Sequence, residues 1–102
     1  MTKNEKREHG DVLYQAILTL KDLDECKKFF SDLCTVAELR AMEQRFEVAM
    51  LLSEGMIYND ILERTGASSA TISRVNRSLQ YGADGYQAVL PRIKEMQGED
   101  GV

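Results

Sequence analysis

The sequence has few of the residues that build metal centres and disulfide frameworks. It contains one histidine and two cysteines, namely His9, Cys26 and Cys34, a spacing that provides no zinc-type ligand set. No glycine-rich phosphate loop occurs, and no nucleophile–base pair can be assembled around His9. We therefore expect no metal site, no catalytic residues and no enzyme. The cysteines are interpreted as small apolar residues in a reduced compartment, and the alternative is a redox pair.

Long hydrophobic runs are also absent. No stretch of about 18 apolar residues occurs, so no transmembrane helix is expected. Residues 1–8 are strongly polar, and no apolar segment follows them, so a secretory signal is not expected. The predicted location is the cytoplasm.

The charge is unevenly distributed along the chain. The net charge of −4 by itself argues against a nucleic-acid partner. However, residues 64–83 contain Arg64, Arg74 and Arg77 and no acidic residue, whereas residues 31–63 are acidic. We therefore expect a local basic surface within 64–83.

Hydrophobic periodicity predicts six helices and no strand, so the expected fold class is all-α. We interpret residues 1–10 as a flexible arm, 11–96 as a single helical domain and 97–102 as a flexible tail. The length of the chain also favours one domain. The first helix is expected to begin at Asp11.

Capping residues mark the starts of the next helices. Asp22 or Asp24 can cap the second helix. Thr35 and Glu38 form a capping box, which predicts a long helix over about 36–54. Residues 48–52 are apolar on all sides, which is typical of a central, buried helix. The predicted inner stripe of this helix consists of Leu39, Met42, Phe46, Ala49 and Met50.

Two shorter helices are predicted at about 58–65 and 69–81, with Gly66 between them. A residue without Cβ adopts the left-handed conformation of a tight turn at no steric cost, so Gly66 is the expected pivot. This pattern predicts a helix-turn-helix unit over about 58–81. We expect Pro91 to kink or restart the last helix. The apolar residues expected to lock the two helices together are Ile61, Leu62, Thr65, Ile72, Val75 and Leu79.

The second of these helices opens with small polar residues, which would let its N-terminus enter the major groove of DNA. Arginine can bind guanine or phosphate, and small side chains can meet base edges or a thymine methyl group. An ordinary hairpin with a solvated face is one alternative. Another is a helical protein-interaction module without direct DNA binding, in which the acidic segment 31–63 would suit a basic partner. The candidate DNA-binding residues are Ser68, Ser69, Ala70, Thr71, Ser73, Arg74 and Arg77.

Several stretches of the sequence are similar to those of a known family. They are Thr35 to Phe46, Leu51-Leu52 with Gly55, Gly66 to Arg74, and Ser78-Leu79. Over about residues 33–80 they resemble the tryptophan repressor (TrpR) family. Arg77 to Gly82, followed by Gly85-Tyr86, resembles the TrpR-related branch labelled YerC/YecD.

The resemblance implies a six-helix TrpR-like fold with an intertwined homodimer. It also implies a sequence-specific transcriptional regulator, acting as a repressor, whose recognition helices lie in successive major grooves of double-stranded DNA. The apolar faces of the helices agree with this expectation, because they exceed what one small chain with a projecting helix pair can cover. The residues at the centre of these faces are Leu13, Ile17, Phe29, Phe30, Phe46 and Leu51.

The resemblance further implies an effector pocket between Arg45 and Arg74, with Thr35 and Ser78 beside the ligand. The family pattern has glycine after the second arginine, whereas this sequence has Val75. A valine there would occupy the space of the indole ring, and such overpacking costs roughly 1–3 kcal/mol. We therefore expect no tryptophan corepressor and no other cofactor. Both arginines are then interpreted as phosphate contacts or ion-pair partners, and the alternative is another small-molecule effector.

Overall fold

The computed structural model describes residues 3–101 and, within them, the side chains of residues 10–98. This part of the chain has six helices and no strand: α1 (Lys3–Leu18), α2 (Leu23–Leu33), α3 (Val36–Ser53), α4 (Tyr58–Thr65), α5 (Ser69–Tyr81) and α6 (Gly85–Gly101). None of these helices is both long and apolar enough to cross a membrane. The chain divides into two compact units, which we name the N-terminal unit (Met1–Leu39) and the C-terminal unit (Arg40–Val102).

The predicted all-α class is confirmed, and the helix bounds agree best in the middle of the chain. The spans of α4 and α5 equal the predicted 58–65 and 69–81, and α3 ends at Ser53, next to the predicted limit. These helices have strong local start and stop signals. Asp22 caps α2, because its Oδ1 accepts the Glu25 N–H at 2.8 Å.

The two ends of the chain differ from the sequence expectation. Helix α1 begins at Lys3 instead of Asp11, in a segment rich in lysine, arginine and glutamate, which are good helix formers. Helix α6 runs through Pro91 to Gly101 as one element, although proline has no N–H to donate within the helix. The flexibility of 1–10 and 97–102 stays a prediction, and residues 1, 2 and 102 lie outside the described part.

One hydrophobic core lies in the C-terminal unit. The apolar run 48–52 of α3 contributes buried side chains, as expected. In the predicted inner stripe of α3, Ala49 is buried, and the other four residues are half-buried: Leu39, Met42, Phe46 and Met50. Leu62 is 40% exposed and lies outside the core, and Ala67, which the periodicity did not select, lies inside it. The buried residues are Val48, Ala49, Leu51, Ile61, Ala67, Ile72, Val75 and Leu90.

The N-terminal unit buries its apolar side chains much less. None of the side chains of residues 10–39 is buried, and Leu18 and Leu23 are 85% and 70% exposed. Cys26 and Cys34 are free thiols and half-buried. The described part of this unit therefore has apolar surface but no core of its own.

The predicted capping box opens α3. The Thr35 N–H donates to Glu38 Oε1 at 2.8 Å, and the Glu38 N–H donates to Thr35 Oγ1 at 3.1 Å. Hydrogen bonds from Thr35 hold the pKa of the Glu38 carboxyl below its ordinary value of 4.5. The backbone N–H of Thr35 has the larger effect and its hydroxyl the smaller one. Folding therefore favours the ionised carboxylate. This contribution to stability is present above the ordinary pKa and is lost as the pH falls through the lowered pKa.

We expect the variant Glu38→Gln to lose less stability on acidification than the unchanged protein. The amide keeps an oxygen that can accept the Thr35 N–H, but it does not titrate. Urea unfolding at neutral and at strongly acidic pH gives the decrease in the free energy of unfolding for each protein. Equal decreases in the two proteins would contradict the role assigned to Glu38.

Candidate nucleic-acid interface

The turn between α4 and α5 has the backbone conformation expected from the sequence. Gly66 lies in the left-handed region, with φ 72° and ψ 5°, and its N–H donates to the Leu62 carbonyl at 2.9 Å. A Cβ at this position would meet no atom within 4 Å. Glycine is therefore favoured here by its backbone freedom and not by lack of space.

Polar contacts that the sequence did not predict surround this turn. The Thr65 hydroxyl donates to the Ile61 carbonyl at 2.7 Å and accepts the Ala67 N–H at 3.1 Å. Gln44 of α3 donates from Nε2 to the Thr65 carbonyl at 3.2 Å. Threonine near a helix end often bonds back to the carbonyl four residues earlier, so that contact had a local signal. The contact of Gln44 had none, because its partner lies in a different helix.

The buried face of α5 holds this helix against the core. Ile72 is fully buried and Val75 is 2% exposed. Ser68 caps the helix by accepting the Thr71 N–H at 3.1 Å, and its hydroxyl donates to Thr71 Oγ1 at 3.0 Å. Ser68 and Thr71 thus already use hydrogen bonds to define the start of α5.

The other face of α5 is open. Ser69, Ser73 and Arg77 recur at every fourth residue, which places them on one stripe, and all three are exposed. Ala70 and Arg74 are exposed as well, and of the seven candidate DNA-binding residues Thr71 alone is half-buried. Among residues 10–98 the one ion pair joins Lys28 and Asp24. Arg74 and Arg77 therefore have no carboxylate partner in that range, and their guanidinium groups are available.

The end of α5 borders a mostly apolar groove of about 410 Å³. At Gly82, the C-cap, a Cβ would collide with the Ser78 carbonyl, which accepts the Gly82 N–H at 3.0 Å. The rings of Phe46 and Tyr86 lie 6.3 Å apart at their centroids. The residues that line the groove are Phe46, Ser78, Gly82, Ala83, Gly85, Tyr86 and Val89.

The residues of the expected effector pocket are all exposed. Arg45, Arg74 and Ser78 belong to the C-terminal unit, and Thr35 belongs to the N-terminal unit. Ser78 lines the apolar groove, but neither arginine does. Val75 is directed into the core. No group of three or more histidine, cysteine or acidic residues that could hold a metal ion is found among the described residues.

The family model, the relative and the solved structures that match this chain all point to the same family. Residues 8–94 match the family described as Trp repressor protein. The uncharacterized protein YerC of Bacillus subtilis (strain 168) is 54% identical over 89 residues, which are 87% of this chain and 86% of YerC. A crystal structure of a TrpR-like protein from Eubacterium eligens is 55% identical, with a TM-score of 0.84 over 91% of this chain and 96% of that chain. A structure of a proposed Trp repressor from Staphylococcus aureus is 46% identical, with a TM-score of 0.83 over 92% and 96% of the two chains. The chain therefore belongs to the Trp repressor family and has the TrpR-like fold.

Proposed function

We propose that the protein is a sequence-specific DNA-binding transcriptional regulator, acting as a repressor in the cytoplasm and without enzymatic activity. Its helix-turn-helix, α4 and α5, docks α5 in the major groove of double-stranded DNA. The main support is the open face of α5, where Arg74 and Arg77 stand exposed beside small polar side chains and opposite the buried Ile72. Membership of the Trp repressor family supports the same function.

The roles of individual residues follow from the chemistry of this face. Arg74 and Arg77 can each bind a guanine edge or a phosphate, because a guanidinium donates in a planar fork. Ser69, Ala70 and Ser73 are short, so they allow the backbone of α5 to approach the base edges closely. Ser68 and Thr71 shape the start of the helix, and we propose that their remaining hydrogen-bonding capacity contacts DNA there.

Selection of duplexes from a random library should yield a symmetric motif, and Arg77→Ala should bind it more weakly. The expected loss is about 1–3 kcal/mol, roughly five- to 150-fold, where Arg77 reads a base. Where Arg77 contacts a phosphate instead, its removal should make the negative slope of log affinity against log salt concentration shallower by about 0.9. Fluorescence anisotropy across a range of salt concentrations separates the two cases.

Arg40→Ala is the matched control for Arg77→Ala. Arg40 is also an exposed arginine of the C-terminal unit, but it lies on α3, outside the helix-turn-helix. We expect its removal to leave the affinity for the selected duplex nearly unchanged. Equal binding by the unchanged protein and Arg77→Ala at every salt concentration would contradict the proposed DNA-binding face.

We also propose that the protein acts as a homodimer. The described part of the N-terminal unit has exposed apolar side chains on α1 and α2 and none that is buried. Small monomeric domains rarely leave so much apolar surface uncovered, because its burial is the main driving force of folding. A second copy of the chain would cover it and would supply a second recognition helix for a symmetric site.

The dimer proposal predicts a solution mass of twice the chain mass, measured by sedimentation equilibrium. Leu18→Asp should shift this mass toward that of the monomer. Leu18 is 85% exposed within one chain. Substitutions at such exposed positions usually change the free energy of unfolding by no more than about 0.5 kcal/mol. A large effect of Leu18→Asp on the mass is therefore expected only if a second copy covers the residue. Gln15→Asp, at another exposed position of α1, is the control. A monomer mass for the unchanged protein would contradict the proposal.

We further propose that tryptophan is not the corepressor. The support for this proposal is the departure from the family pattern, because Val75 stands where the resemblance places a glycine. The side chain of Val75 itself packs in the core. We expect the affinity for the selected duplex to be the same with and without tryptophan. Repeating the titration with a panel of other amino acids tests for another effector. A tryptophan-dependent gain in affinity would contradict this interpretation of Val75.

The second candidate function is a protein-interaction module that does not bind DNA directly. Exposed acidic side chains favour it: Asp60 and Glu63 of α4 line a surface groove of about 370 Å³ together with Met56 and Arg64. Such a groove would suit a basic partner. Failure of the duplex library to enrich any sequence would favour this function over the proposed regulator.

A further inference from the structure

We propose that Gln44, Ile61, Thr65 and Ala67 form a positioning device for the recognition helix, which we name the turn clamp. It consists of the three hydrogen bonds that converge on the turn around Gly66. This inference rests on the proposed function, since it concerns how α5 is oriented toward DNA. None of the four residues belongs to the open face of α5.

The inner part of the turn clamp holds the chain on both sides of Gly66. The Thr65 hydroxyl is bound to the Ile61 carbonyl before the turn and to the Ala67 N–H after it. Ala67 is 1% exposed, so its N–H has little access to water and needs a partner within the protein. One hydroxyl therefore connects the last turn of α4 to the first residue beyond the glycine.

The outer part of the turn clamp ties the turn to the central helix. In the described part of the chain, the bond from Gln44 Nε2 to the Thr65 carbonyl is the one side-chain hydrogen bond between α3 and the helix-turn-helix. Helix α5 itself packs on the core through apolar side chains, among them Ile72 and Val75, and near its far end the Leu79 carbonyl accepts a hydrogen bond from Gln87 of α6. Apolar burial is not directional, whereas a hydrogen bond weakens steeply when its angle changes. Gln44 thus supplies a directional restraint that packing does not.

The turn clamp should matter more for specificity than for affinity in general. Recognition of base edges requires side chains to be held within about 0.5 Å of the productive geometry. Attraction to the phosphates depends on charge and tolerates small changes in orientation. Loosening the turn should therefore lower the affinity for the selected duplex and leave the affinity for unrelated DNA almost unchanged.

Two variants open the turn clamp from different sides. Gln44→Met removes the donor but keeps a side chain of similar length, and Thr65→Val removes the hydroxyl but keeps the branched shape. We expect each to lower the affinity for the selected duplex roughly three- to tenfold, as befits one or two hydrogen bonds. Binding to a scrambled duplex of equal length should stay the same. Anisotropy titrations well below the unfolding midpoint of each variant measure both affinities in folded protein.

Two controls separate positioning from a general effect on stability. Thr65→Ser restores the hydroxyl and should recover the ratio of selected to scrambled affinity. Gln87→Met removes a comparable bond, from Gln87 Nε2 to the Leu79 carbonyl at 2.7 Å, but it lies away from the turn. We expect it to lower the unfolding midpoint without a comparable loss of the affinity ratio.

The outcomes distinguish this inference from the proposed function. An unchanged protein that does not prefer the selected duplex overturns both. Suppose instead that the protein without substitutions prefers the selected duplex, and that Gln44→Met and Thr65→Val keep its ratio of selected to scrambled affinity. This result overturns the turn clamp alone. The turn clamp is also overturned if Gln87→Met lowers the ratio of selected to scrambled affinity as much as Gln44→Met and Thr65→Val do. Should Gln44→Met fail to fold, the comparison of Thr65→Val with Thr65→Ser still tests the inner part of the turn clamp, and an unaltered affinity ratio in Thr65→Val would then overturn the inference.

Discussion

The burial of Ile72 and Val75 is the constraint on which the proposed interface depends. These residues lie on one side of α5 and join the core formed with Val48 and Ala49 of the central helix α3. In an amphipathic helix the polar face lies opposite the apolar one, so packing the apolar face on the core determines which residues face solvent. The small polar residues and arginines of α5 are exposed for this reason, and a single open polar face follows from the position of the core.

The electrostatics of the chain agree with a localised interface. The net charge is −4, and yet the two arginines on the open face of α5 have no acidic partner within residues 10–98. A protein of this net charge attracts DNA poorly through its total charge, so the proposed DNA binding would depend on orienting the positive face toward the phosphates. Such a distribution favours a few well-placed contacts over a broad basic patch.

Local signals explain which elements were predictable from the sequence. The start of α3 depends on Thr35 and Glu38, which are three residues apart, and the end of α4 depends on Gly66. Both involve groups within one helical turn, so their residue types reveal them. Helix α6 is different, because it continues through Pro91 and no local rule indicated that the lost hydrogen bond would be tolerated.

The sequence by itself determined the helix-turn-helix, its pivot at Gly66 and the outward stripe of α5, since helical periodicity assigns each residue to a side. The tertiary structure decided that Leu62 lies outside the core and Ala67 inside it. It also decided that Gln44 reaches the Thr65 carbonyl across 21 positions of sequence. These outcomes depend on how separate helices meet, and contacts of that kind leave no periodic signal in the chain.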